Sequence, residues 1–125
     1  MENTNTLGIW MDHTEAQLID LNSKERSYKL KCEFTFEAKE EALTRSEKLM
    51  HNKRQQQQEQ FYDKIGQAVL AYDHVLLFGP TNAKVELYNH LEKDLHFKDK
   101  EIDIESADYM SDNHRVAFVK AYFKQ

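Results

Sequence analysis

The chain has 125 residues, 40% of them apolar and 31% charged, with a formal net charge of −5. That length and apolar share suit one domain, expected over 1–125, with one hydrophobic core, and three Gly and one Pro leave little room for flexible linker. The acidic balance excludes a general nucleic-acid coat protein, which needs surplus Lys and Arg to displace counterions from phosphates, but it leaves room for a local basic patch.

Residues 7–12 form a short apolar run that predicts a strand buried on both faces. The polar turn Asp12-His13-Thr14-Glu15 follows, then a second strand over 16–21. In the third strand Tyr28, Leu30, Cys32, Phe34 and Phe36 alternate with Lys29, Lys31, Glu33 and Thr35. This period of two sets one face on the core and the other in water, so the first three strands predict an antiparallel meander. Residues 37–54 lack a clear period and predict a polar excursion, helical in its second part. From about Gln55 a helix carries Phe61, Ile65, Ala68, Val69 and Tyr72 on one stripe.

A fourth strand over 74–78 ends at Gly79-Pro80. Thr81 or Asn82 can cap the next helix, which turns Leu87, Tyr88, Leu91 and Leu95 inward. A fifth strand spans 101–106. Ser111 or Asp112 can cap a last helix buried through Val116, Val119, the stem of Lys120 and Phe123. Strand–helix–strand units favour parallel pairing with a right-handed crossover. The expected fold is therefore α/β and ribonuclease H-like: a mixed five-stranded sheet, three antiparallel strands then parallel strand–helix units, with about three helices. A ferredoxin-like strand order fits less well.

A lone cysteine, Cys32, cannot form an internal disulfide. Residues 1–7 are polar, unlike a signal peptide, and no stretch nears the ~18 consecutive apolar residues of a membrane span. A cytoplasmic location without membrane contact is expected.

Two segments carry a resemblance. Gly8-Ile9-Trp10-Met11-Asp12-His13-Thr14-Glu15-Ala16 resembles the Trp-Ile-Asp-His opening of small bacterial translational machinery proteins, some called host-attachment proteins. Val75-Leu76-Leu77-Phe78-Gly79-Pro80-Thr81-Asn82-Ala83-Lys84-Val85-Glu86-Leu87 is similar to a strand-Gly-x-x-x-x-Lys-x-Glu-Leu unit in the central domain of the archaeal and eukaryotic release factors and Pelota. The resemblance covers nearly the whole chain and implies the fold together with an association with the ribosome. In the release factors this domain carries Gly-Gly-Gln on a loop before the long helix, and the Gln helps water attack the peptidyl-tRNA ester. The matching region here, 41–58, contains no Gly, so the resemblance does not extend to peptide release. Nor does it extend to the tRNA-mimicking and stop-codon-reading domains, which have no counterpart in these residues.

Four groups of residues could carry function. Arg45, Lys48, His51, Lys53 and Arg54 form the most basic segment of an acidic chain, where the family places its ribosome-inserting loop; phosphate contacts there would hold RNA without reading sequence. The plain alternative is a solvated helix face. Gly79, Thr81, Asn82 and Lys84 leave a strand and open a helix, a setting that suits an anion, although Gly-x-x-x-x-Gly-Lys is not met and structural capping explains them too. Asp12 with Asp63, Asp108 and Asp112 falls short of a two-metal nuclease set, since the fourth strand ends without an acid. The six histidines show no His-x-x-x-His spacing and the single Cys no Cys-x-x-Cys, so neither a metal nor a cofactor is implied. Cys32 is expected to be a small buried hydrophobe on the apolar face of the third strand.

The leading expectation is a non-catalytic ribosome- or RNA-associated accessory protein. The alternatives are a small ligand-binding or enzymatic domain using the 79–84 turn, and an interaction module, such as a homodimer paired through an exposed sheet edge.

Overall fold

A computed structural model describes residues 5–22, 27–32 and 47–124, with side chains from 55 onward in the long helix and up to 123 at the C-terminus. The elements run β1 (Thr6–Met11), β2 (Glu15–Ile19), β3 (Tyr28–Lys31), α1 (Glu47–Val69), β4 (His74–Gly79), α2 (Ala83–Glu92), a 3-10 turn (Leu95–Phe97), β5 (Glu101–Ser106) and α3 (Asp112–Lys124). The sheet order is β3-β2-β1-β4-β5. β1 and β2 pair antiparallel, as do β2 and β3, whereas β1–β4 and β4–β5 pair parallel. This is the mixed, ribonuclease H-like sheet expected from the order of elements.

β1 and β4 sit at the centre and are buried on both faces, which is why their sequences read as continuous apolar runs. Leu7, Ile9, Met11, Val75 and Leu77 face α1 and α2, meeting Phe61, Ile65, Val69, Leu87 and Leu91. Trp10, Leu76 and Phe78 face α3 and meet Val119, with Phe118, Tyr122 and Phe123 around them. Phe78 and Phe118 stack with ring centroids 4.5 Å apart. Full burial of each large side chain in these layers contributes about 1.5–3 kcal/mol. On β3, Leu30 and Cys32 pack against the first layer as the alternation requires, while Tyr28 is 44% exposed. Phe34 and Phe36 lie outside the described residues.

Two expectations are corrected. α1 runs unbroken over Glu47–Val69, joining the helical second part expected of 37–54 to the helix expected from about Gln55. Its first turns carry no apolar stripe, but Glu, Lys, Leu, Met and Gln favour helix without tertiary help. Leu95 is 83% exposed: α2 stops at Glu92, and the Asp94 carboxylate accepts from His96 N at 2.9 Å to start the 3-10 turn. That turn rotates the chain, so Phe97, not Leu95, enters the core. Lys120 is exposed, and Arg115 is the charged residue of α3 that is buried instead.

α3 lies close on the sheet because β1 has Gly8 beneath it. A Cβ at Gly8 would stand 2.3 Å from Val119 Cγ2. Gly8→Ala should destabilise by about 2 kcal/mol through overpacking, and Val119→Ala in the same chain should recover part of that loss. Thermal melts of the three variants check this; a double variant no more stable than Gly8→Ala alone would show that Val119 is not the obstacle. Among the described residues no helix is long and apolar enough to cross a membrane.

Candidate functional site

The carboxyl ends of β1 and β4 meet at one end of the sheet. Here the β1–β2 turn, the loop after β4, the start of α2 and the middle of α1 converge. The turn is locked by Asp12, whose Oδ1 accepts from Thr14 N (2.8 Å), Thr14 Oγ1 (2.9 Å) and Glu15 N (2.9 Å). Burial alone would raise the pKa of Asp12, but the backbone donors of Thr14 and Glu15 and the Thr14 hydroxyl outweigh it and hold the carboxyl below its ordinary value. The role of Asp12 is thus to shape the hairpin. A carboxyl depressed in the folded state stabilises above its unfolded pKa, and that contribution fades as pH falls through the folded one. Asp12→Asn should therefore cost about 1–2 kcal/mol near neutrality, with the gap to the parent closing below the ordinary value of 3.8. Denaturant melts between neutrality and strongly acid pH check this, and a gap independent of pH would contradict it.

Gly79 ends β4 with φ +154°, and a Cβ there would stand 2.1 Å from the Met11 carbonyl oxygen. The glycine thus serves the close approach of β4 to β1. In the loop, Thr81 Oγ1 accepts from Ala83 N at 3.2 Å, and the Asn82 carbonyl accepts from Val85 N and Glu86 N. Asn82 makes no side-chain capping bond, so Thr81 is the residue that caps. Lys84 is buried, and its Nζ donates to the Thr81 carbonyl. The ammonium is turned onto its own loop.

Beside this loop runs a chain of polar contacts from three elements. Tyr62 OH on α1 donates to Glu86 Oε1 at 2.8 Å, and His13 Nε2 lies 3.2 Å from Glu86 Oε2. Gln58 Nε2 donates to the His13 carbonyl at 3.2 Å. Burial, then the hydrogen bond to Glu86 and its negative charge, push the Tyr62 hydroxyl well above its ordinary pKa. For Glu86, burial acts upward, but the bonds from Tyr62 and His13 win and hold the carboxyl below its usual range. Tyr62 therefore stays a donor and Glu86 stays ionised at neutral pH. Bonded to each other across two helices, Tyr62 and Glu86 form a positioning contact. It fixes α1 against the hairpin and α2.

From Gln58 toward its N-terminus α1 runs on to Glu47, roughly 16 Å at 1.5 Å per residue. Lys48, His51, Lys53 and Arg54 lie on these turns; their side chains, and Arg45 altogether, fall outside the described residues. The remaining acids of the nuclease set go separate ways. Asp63 meets His90 at 2.7 Å, Asp112 meets Lys29 at 2.9 Å and Arg115 at 3.5 Å, and Asp108 gives its backbone carbonyl to Trp10 Nε1 at 3.4 Å. Ser111 Oγ accepts from His114 N at 3.3 Å and serves as the cap of α3.

Two residues that sequence reasoning missed are central here. Tyr62 is buried beside Phe61, and its hydroxyl masks an otherwise apolar ring; the signal was its place one residue from the stripe. Arg115 lies with Cζ 3.6 Å from the Trp10 ring centre, donating to Gln17 Oε1 at 2.9 Å.

No protein-family profile and no curated protein matches the sequence. Among solved structures, Pelota from Archaeoglobus fulgidus is similar in fold, with a TM-score of 0.58 at 9% identity over 96% of this chain. The match spans 32% of Pelota, so the chain corresponds to about a third of that protein's length. A likeness at this identity is one of fold.

Proposed function

We propose that the chain is a non-catalytic, ribosome- or RNA-associated accessory protein of the translation machinery, with the basic beginning of α1 as its contact surface. The observation that carries this reading is the likeness of fold to part of Pelota over nearly the whole chain, in a sequence whose motifs resemble the same family. In that family the domain enters the ribosome through the segment before its long helix. Here Arg45 precedes α1, Lys48, His51, Lys53 and Arg54 lie on the first turns of α1 itself, and residues 41–58 hold no glycine. The substitution of cations for Gly-Gly-Gln favours phosphate contact over catalysis of release.

The Tyr62–Glu86–His13 contacts support the reading from the other side. They anchor the middle of α1, from which the helix continues to its N-terminal turns.

Purified protein mixed with purified ribosomes and pelleted through a cushion tests this. Changing Arg45, Lys48, Lys53 and Arg54 together to Glu should reduce the bound fraction by at least about tenfold, as expected when several phosphate contacts become repulsive. Equal pelleting of parent and variant would remove this surface from the account.

A further inference from the structure

At the other end of the sheet, His74 opens β4 and Glu101 opens β5, and the two are partners in the parallel register. Side chains alternate along a strand, so Asp103 stands on the same face as Glu101. His74 Nε2 lies 3.6 Å from Glu101 Oε2 and 2.7 Å from Asp103 Oδ2. One donor atom from each of the three lies within 4.8 Å of the other two. Two donors at ~2.1 Å from a shared cation, at a tetrahedral angle, stand roughly 3.4 Å apart. The two separations fall on either side of that value, so small rotamer adjustments would bring the donors onto one ion.

From this we infer a divalent-cation site formed by His74, Glu101 and Asp103. One imidazole nitrogen with two carboxylate oxygens suits Zn²⁺ and its first-row transition neighbours, whereas Mg²⁺ and Ca²⁺ take oxygen ligands. The surroundings are those of a ligand set held in place. Tyr122 OH on α3 donates to Asp103 Oδ2 at 2.5 Å, and the Phe123 ring stands edge-on to His74 with centroids 5.0 Å apart. Outer partners of this kind orient metal ligands. Asp103, Glu105 and Glu101 all act on the Tyr122 hydroxyl electrostatically, so the field at this edge is negative and draws cations. The Glu101 side chain is 69% exposed, which leaves a coordination position open to water. The ion joins β5, the edge strand, to β4 beneath the end of α3.

Calorimetric titration of chelator-treated protein with ZnCl₂ tests the site. One saturable equivalent is expected, with a rise of several degrees in the thermal midpoint under ZnCl₂ and none under MgCl₂. Glu101→Gln removes a ligand from an exposed side chain and leaves packing untouched; it should weaken Zn²⁺ binding by at least about tenfold, and Asp103→Asn likewise. His90→Gln breaks the separate His90–Asp63 pair and should leave the affinity unchanged. Absence of saturable binding would overturn the inference. So would binding that survives Glu101→Gln and Asp103→Asn, or that is lost with His90→Gln, since the ion would then sit at an unrelated surface histidine.

Discussion

Gly79→Ala should lower stability by at least about 3 kcal/mol and the thermal midpoint by about 10 °C. A backbone at φ +154° already disfavours any side chain, and the added methyl would meet the Met11 carbonyl oxygen at 2.1 Å. That oxygen belongs to the central strand β1 and cannot rotate away as a side chain would. Relief requires the ends of β1 and β4 to part, opening the parallel pairing between the two most buried strands. Folding stabilities run about 5–15 kcal/mol in total, so this one methyl would consume a large share. The single tryptophan, Trp10, lies next to Met11, and its fluorescence reports the transition. A loss below about 1 kcal/mol would mean that the strands do not approach as closely as described.

Trp10→Ala should cost about 4 kcal/mol, in the range for a large aromatic lost from a packed core. The ring is fully buried among Ile19, Leu76, Phe78 and Val119. It also carries the Arg115 guanidinium at 3.6 Å from its centre. Arg115 is buried, and its Nε has no hydrogen-bond partner among the described residues, so the ring face takes the place of solvent on that side of the cation. Removing the ring exposes this deficit as well as leaving a cavity. A double-mutant cycle with Trp10→Leu and Arg115→Met, followed by denaturant melts, should give a coupling of about 1 kcal/mol. A coupling of zero would show that ring and guanidinium merely neighbour each other.

The parts of this fold legible in the sequence are those where one physical signal stood alone. β4 and β5 were bounded almost to the residue because apolar runs met Gly-Pro and acidic flanks. The stripe Phe61, Ile65, Val69 stated which face of α1 is buried. Leu95 misled because it continues the spacing of Leu87 and Leu91, and spacing cannot show that the helix ends three residues earlier. Nothing in the sequence marks Arg115 as buried, and Lys84 is expected there to add charge to an anion-binding turn. Arg115 is buried against partners from distant segments, Trp10 and Gln17, whereas Lys84 is turned onto the Thr81 carbonyl three residues back.

The candidate site was legible only in outline. The loop after β4 and the acidic turn after β1 stood out as segments, but the chain of Gln58, His13, Glu86 and Tyr62 joins residues as far as 73 positions apart. The His74–Asp103 contact spans 29 positions and owes its existence to the parallel register of β4 and β5. Adjacent pairs such as Asp73-His74 misdirect here, since neighbours on a strand point to opposite faces. His74 finds its carboxylates across the sheet instead.

Sedimentation of a native lysate through sucrose at two salt concentrations tests the central claim most directly. The account predicts co-migration with ribosomal particles at low salt. For about four phosphate contacts, affinity should fall roughly 50-fold between 50 and 200 mM salt, moving the protein toward the top of the gradient. Protein that stays at the top even at low salt would contradict a stable ribosomal association.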